Sequence, residues 1–400
     1  MKLSIWMLTL GTFAAGTDIL VIAGILPVIA NELSVSVAAT GLLVTVFTIT
    51  YAIASPILAI ISSTVNRRFL LISALSLFTI GNAFSALAPN YNLLMLARIV
   101  TAVGASAFTP TAYATASLLV SEESRGKALA VVVSGFTVSS VIGVPIGSFV
   151  GEVFGWRTTF WLVMGLGLIS LIALIAIFPS ISGSKYVGFR ARLSPILKPR
   201  IGLSLAIAGI WGVSSFSFYT FLAPLVTHYS NLSGTAVSAI LLIVGIGSVA
   251  GNVFGGYGSD RFGSLQTGTL SLILRTPLLV AIPLVSLSVI GVSGAMFLFG
   301  LLTWMFFVPQ QSRILSFASQ ASSIILSLNN SFVYAGGAIG SAVGGLVLSG
   351  FSFSGLVIAS LAFNVIALVL QLISAKVSPP PHRVEHSLSK TEESKTSTPL

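Results

Sequence analysis

The sequence predicts an all-α membrane protein of twelve transmembrane helices arranged as two six-helix pseudo-repeats. Three observations point there: a near absence of charge, a series of long apolar spans, and basic residues gathered on one side of those spans. Of 400 residues, 55% are hydrophobic and only 7% charged, with a mean hydropathy of +1.04. Soluble domains carry about 25% charged residues because their surfaces face water. A chain this poor in charge stays dispersed only where lipid replaces water around most of it. Stretches such as 36–62, 92–119 and 325–349 also exceed the roughly 20 residues that cross a ~30 Å hydrocarbon core.

Apolar spans between polar breaks fall at 4–30, 36–61, 69–88, 92–119, 127–150, 159–178, 201–226, 235–257, 267–288, 290–312, 325–349 and 354–376. The first is too long for the apolar core of a signal peptide and lacks a cleavage site, so it reads as a retained helix. The ninth and tenth divide around Ser288–Gly294, where no charge marks the boundary.

Alternating the spans across a bilayer puts Lys and Arg overwhelmingly on one face, with Arg157 alone on the other and Arg98 and Arg275 inside spans. Basic loops are retained in the cytoplasm. Both termini are therefore expected there, in a bacterial inner membrane. The net charge of +10 is then a topology determinant rather than a nucleic-acid patch. No cysteine is present, and two of the three histidines lie in the tail, which leaves no material for a disulfide or metal cluster. Nothing resembles a catalytic triad, a phosphate loop or a carboxylate pair, so no enzyme activity and no cofactor are expected. The expected partners are the bilayer, protons and a small-molecule substrate, with the chain a monomer.

A basic Gly/Ser-containing segment, 179–200, separates residues 1–178 from 201–376, and 377–400 reads as a polar, disordered cytoplasmic tail. An offset of 197 residues aligns the two long segments. It places Pro27 on Pro224, Asn66 on Gly263, Gly143 on Gly340 and Gly147 on Gly344. Agreement in helix number and position together implies duplication. Parallel six-helix repeats are one design of secondary transporters, with substrate bound between them near the midplane.

At four stretches the sequence resembles the major facilitator superfamily, and within it the twelve-helix drug:proton antiporters and their sugar- and nucleoside-exporting relatives. The first span reads Gly16-Thr17-Asp18-Ile19-Leu20-Val21-Ile22-Ala23-Gly24-Ile25-Leu26-Pro27, and the fourth carries Arg98 with Gly104 six residues on. The fifth reads Gly143-Val144-Pro145-Ile146-Gly147, followed by Gly151 and Gly155-Trp156-Arg157, similar to the antiporter motif and its corner. The loop after the eighth span runs from Gly256 through Asp260 and Arg261 to Gly263, matching the family's Gly-x-x-x-Asp-Arg-x-Gly pattern in full. After the second span the same pattern has decayed to Ala59, Ser63 and Thr64 at the Gly, Asp and first Arg positions, and only Arg67 and Arg68 survive. The resemblance implies the major facilitator fold. It also implies gating by Gly256, Asp260, Arg261, Gly263, Arg67, Arg68, Gly143, Pro145 and Gly147, with Asp260 against the cytoplasmic end of a helix in its own half.

Asp18 is the one acid deep in a span. A charge at that depth costs ~3 kcal/mol on insertion scales, and such residues usually face a cavity and act there. The plainer reading is a structural carboxyl. Arg98 enters its span from the opposite surface and reaches a similar depth, which makes it the natural partner for a proton-coupling carboxyl; snorkelling is the alternative. Arg275, a little over two turns into its span, is expected to snorkel to the headgroups. Tyr219, Asn252, Trp304, Gln310, Asn329 and Asn330 are candidates to line a pocket, or else to bond between helices.

Together these readings predict proton-coupled antiport: efflux of a drug, sugar or nucleoside-like molecule, with a drug-resistance phenotype. Uptake of a sugar-like solute by symport or facilitated diffusion is the first alternative. A non-transporting membrane sensor is the second.

Overall fold

The structure, a computed structural model, describes residues 3–121, 124–183, 198–317 and 322–377. Most of the 179–200 linker and the 377–400 tail lie outside the described residues. Among the described residues, twelve helices are long and apolar enough to span a membrane. They are α1 (Leu3–Glu32), α2 (Val37–Ile61), α3 (Arg67–Leu87), α4 (Tyr91–Ala116), α5 (Arg125–Phe154) and α6 (Trp156–Ile177), then α7 (Pro199–Tyr219), α8 (Thr235–Phe262), α9 (Ser264–Val285), α10 (Val289–Ser316), α11 (Ser322–Gly350) and α12 (Phe353–Val377).

Local chemistry sets the ends. Ser36, Asn66, Asn90 and Ser288 each cap a helix by accepting a backbone N–H of its first turn. Ser288 accepts from Gly291 at 3.0 Å, and this cap is what starts α10 where no charge marks the boundary. Gly155 and Gly263 join helices through φ of +88° and +95°, a region that side-chain-bearing residues avoid. The Gly-Trp-Arg corner and the Asp-Arg-x-Gly loop thus each need their glycine for the backbone.

Two departures from straight helices trace to proline. The expected seventh span breaks at Thr220–Phe221 and resumes as a short helix, Leu222–Ser230. Pro224 lacks an N–H, and its ring clashes with the carbonyl four residues back, at Thr220. Within α5, Ser139–Gly143 adopts a π turn, and Val144 donates to Ser139 five residues earlier. Pro145 is placed to force this, because it cannot bond Val141 and crowds that carbonyl.

Packing repeats between the first six helices and the last six. Helix α5 lies on α1, and α11 lies on α7. A side chain at Gly143 would strike Thr17, and one at Gly340 would strike the Val213 backbone. Likewise α3 packs on α4, and α9 on α10. The two sets of six meet mainly along two seams, α2 with α11 and α5 with α8. In one seam Thr45 Oγ1 and Ser341 Oγ lie 2.8 Å apart, and in the other Ser238 donates to Ser148 at 3.1 Å. Both contacts lie toward the end of the bundle where α1 stops and α2 begins. Around the outside, large apolar side chains such as Ile53, Ile57, Phe84, Leu96, Ile172 and Leu346 are exposed. A continuous apolar rim of this kind is the surface that lipid tails cover.

Candidate functional site

Asp18, midway along α1, and Arg98, near the start of α4, meet directly. Arg98 Nη1 donates to both carboxylate oxygens, at 2.8 and 3.0 Å, and Nη2 lies 3.5 Å from the Asp18 carbonyl. Both residues are wholly buried. Phe47 on α2 presents its ring face to the guanidinium, 4.4 Å from the centroid, and Phe160 on α6 lies at 5.7 Å. Four helices therefore enclose the pair, and Arg98 Nε has no acceptor among the described residues. A charge pair survives such burial only where its geometry is good and the charge is hydrogen-bonded. Here one arginine nitrogen reaches both carboxylate oxygens, and aromatic faces cover the cation. Chemically, the site holds one proton-exchangeable group whose attraction for its neighbour depends on whether it is ionised.

Against the stretch of α1 that carries Asp18 runs the glycine-rich part of α5. A side chain at Gly16 would meet Ser139 and Phe136, and one at Gly147 would meet Val21. Helix α1, which carries Asp18, therefore touches α5 at backbone distance, close to the π turn.

The aromatic contacts across the seams are part of the same region. Tyr51 on α2 and Tyr334 on α11 have ring centroids 4.0 Å apart, and Tyr113 on α4 stands close to both. Beside the other seam, Phe136 of α5 faces Trp304 of α10 at 6.1 Å, and Trp304 also meets Phe307 at 5.3 Å. Trp304 and Tyr219 are half-buried, as are Asn252 and Asn330, whereas Asn329 is fully buried with neither amide atom paired among the described residues. Gln310 spans helices instead, donating to the Ser204 carbonyl at 2.6 Å. Sequence reading missed Tyr51, Tyr113, Tyr334 and Phe136. Their signal was faint: an aromatic in an apolar span looks like any other core residue until its helix has a facing.

Three expectations need correction. Arg275 does not snorkel; it is fully buried and donates to Ser215 Oγ of α7 at 3.0 Å, beneath the Phe299 ring of α10. Helix α9 begins at Ser264, so Arg275 lies about 16 Å along it and faces the bundle rather than lipid. Asp260 does not touch a neighbouring helix end. It is exposed, with no partner for its carboxylate among the described residues, while Arg261 bonds back to the Tyr257 hydroxyl at 2.6 Å. The loops that follow the second helix of each set of six are also built differently. Asn66, unlike Gly263, has a negative φ; it caps α3 and donates to Ser180 at 2.7 Å, and Arg68 donates to the Ile175 carbonyl of α6 at 2.6 Å. On the opposite side, Arg157 bonds Glu32 and the Ala88 carbonyl while stacking on Trp156, which ties together α1, α3 and α6.

A twelve-span helical bundle with a buried ion pair in one set of six and an aromatic seam against the other is the architecture of a polytopic membrane protein. The sequence model of the Major Facilitator Superfamily matches residues 8–340. The chain belongs to that superfamily and is a multi-pass membrane transporter. It is 32% identical over 369 residues to the uncharacterized MFS-type transporter YbcL of Bacillus subtilis strain 168, covering 92% of this chain and 95% of that one. It is 31% identical over 380 residues to the inner membrane transport protein YdhP of Escherichia coli strain K12, covering 93% and 96%. A chloramphenicol resistance protein of Streptomyces lividans is 32% identical over 265 residues, 65% of this chain and 68% of that one. The fold matches the crystal structure of a bacterial homolog of the human lysosomal transporter Spinster, solved inward-facing and unoccupied. The TM-score is 0.77 at 19% identity, covering 93% of this chain and 96% of that one.

Proposed function

We propose that this transporter exports a small organic molecule, drug-, sugar- or nucleoside-like, in exchange for protons, with Asp18 as the proton-carrying group. The observation that carries the reading is the enclosed Asp18–Arg98 pair. An ionised Asp18 holds Arg98 strongly, and a protonated one holds it weakly. The proton therefore stabilises two arrangements of α1 and α4 unequally, which is the requirement for coupling. The two six-helix segments, 1–178 and 201–376, rock about the seams, with both termini cytoplasmic. Helix α5 supplies the flexible contact, since Gly143, Pro145 and Gly147 lie where it meets α1. Gly256, Asp260, Arg261 and Gly263, with Arg67 and Arg68, form the cytoplasmic gate. An exposed Asp260 is then free to find a partner in the other state of the cycle. Tyr219, Asn252, Trp304, Asn329 and Asn330 belong to the substrate surface, together with the seam tyrosines. The chloramphenicol resistance relative supports export over uptake.

A growth-inhibition and metabolite-release screen on overexpressing cells identifies the substrate. Inverted vesicles with an imposed acid-inside gradient then accumulate that substrate when they carry the parent protein. Vesicles carrying Asp18→Asn bind it but do not accumulate it uphill. Full gradient-driven accumulation by the Asn variant removes Asp18 as the coupling site.

A further inference from the structure

We propose that Arg275 and Ser215 form a buried binding site for a small monoanion, a carboxylate or a halide, enclosed by α7, α9 and α10. The argument begins with a missing counter-charge. Arg275 is fully buried, yet of its guanidinium nitrogens only Nη1 has an acceptor, the Ser215 hydroxyl; Nε and Nη2 have none among the described residues. An uncompensated buried charge carries one of the largest penalties in protein structure. The Phe299 ring, 5.1 Å away and backed by Phe218 at 4.5 Å, covers one face of the cation but accepts no N–H in its plane.

Among the described residues, no acid supplies the missing charge. Between residues 201 and 376 the sequence contains one acid, Asp260, which is exposed near the end of α8. In the first six helices Asp18 is bound to Arg98, Glu32 to Arg157, and Glu152 is exposed. The other buried arginines are served. Arg98 has its carboxylate, and Arg313 donates to Gln371 Oε1, the Ser374 carbonyl and Ser374 Oγ at 2.7–3.1 Å. Arg275 alone of these three is left short.

The repeat relates the acceptors but not the arginines, since Arg98 falls on Ala295 and Arg275 on Phe78. Ser215 stands 197 residues after Asp18, the spacing that separates Gly143 from Gly340. Asp18 holds the arginine of the first six helices with a carboxylate, and the matching position in the last six offers a hydroxyl. That hydroxyl accepts from Nη1, and its own proton has no acceptor among the described residues. Two donors on one edge of the guanidinium, Nε–H and Nη2–H, therefore lack acceptors, and the Ser215 O–H at Nη1 is a third without one among the described residues. The Nε/Nη2 edge of a guanidinium matches the two oxygens of a carboxylate, and also holds a single halide between its two N–H groups.

Purified full-length protein is unfolded thermally in sodium gluconate, whose anion is bulky and polyhydroxylated, and then with formate, acetate or chloride substituted at constant ionic strength. The parent midpoint should rise saturably by about 2 °C or more with a bound small anion. Arg275→Gln should abolish the response. Ser215→Asp should raise the midpoint in gluconate and remove further response, because its carboxylate supplies the counter-charge from within the chain. A rise with formate and acetate identifies a carboxylate site, and a rise with chloride alone a halide site; either upholds the proposal. An unchanged parent midpoint in all three anions overturns it, as does an equal rise in Arg275→Gln. Should that variant not fold, a Ser215→Asp protein responding as the parent does overturns it equally.

Discussion

Tyr51 of α2 stacks against Tyr334 of α11 with ring centroids 4.0 Å apart and planes tilted by 37°, so the first and last six helices are joined by an aromatic contact midway along one seam. Further along that seam Thr45 and Ser341 lie within hydrogen-bond distance at 2.8 Å. The chain has no cysteine of its own, which makes this contact a clean place for a reversible lock. The double variant T45C/S341C should form a disulfide on mild oxidation, since hydroxyls this close put the two β-carbons within disulfide reach. Oxidised protein should lose at least about tenfold in transport, because rocking is the slow conformational step being blocked, and reductant should restore it. Transport by fully oxidised protein at the parent rate would mean that this seam does not open.

The Asp18–Arg98 pair predicts a characteristic pattern of stabilities. Removing one member of a buried pair costs about 3–5 kcal/mol, whereas replacing both with apolar residues is often neutral. Asp18→Ala should therefore lower the thermal midpoint strongly, and Asp18→Ala combined with Arg98→Met should recover most of the loss. Asp18→Asn keeps one acceptor for Arg98 and should fall between. Additive losses in the double variant would show that the two side chains do not sense each other.

For Asp260, exposure and function separate cleanly. The carboxylate has no partner among the described residues, so Asp260→Asn should leave the thermal midpoint within the ~0.5 kcal/mol range of surface substitutions. Under the proposed gate role, transport should nonetheless slow. The check is initial transport rate at saturating substrate alongside the melting curve; unchanged turnover takes Asp260 out of the gate.

Gly147 packs where a side chain would come within 2.7 Å of Val21 Cγ2. Gly147→Leu should push α5 off α1, at the ~1–3 kcal/mol typical of overpacking, with expression retained and transport reduced. Gly256, which has open space around it, makes the control: Gly256→Ala should melt as the parent does. Parent-like transport by Gly147→Leu would place that face of α5 away from its contact during the cycle.

The amino-acid sequence by itself determined the twelve spans, the caps that begin α2, α3, α4 and α10, the two glycines that turn the backbone at Gly155 and Gly263, and the depth at which Asp18 and Arg98 lie. All of these depend on length, hydropathy or chemistry within a few residues. Only the tertiary structure decided which way each helix faces. Most of these spans are apolar all round, so no polar stripe tells the inward face from the lipid face. Arg275 shows the consequence. Its position along α9 was readable, but whether its side chain ran outward to the headgroups or inward to Ser215 depended on the rotation of α9 against α7 and α10. The rotations of α2 and α11 likewise set Tyr51 against Tyr334, and that of α8 leaves Asp260 exposed at its end. Proline acted between the two levels. Pro224 and Pro145 were plain in the sequence, yet whether each gave a break, a kink or a π turn was settled by the helices packed against it.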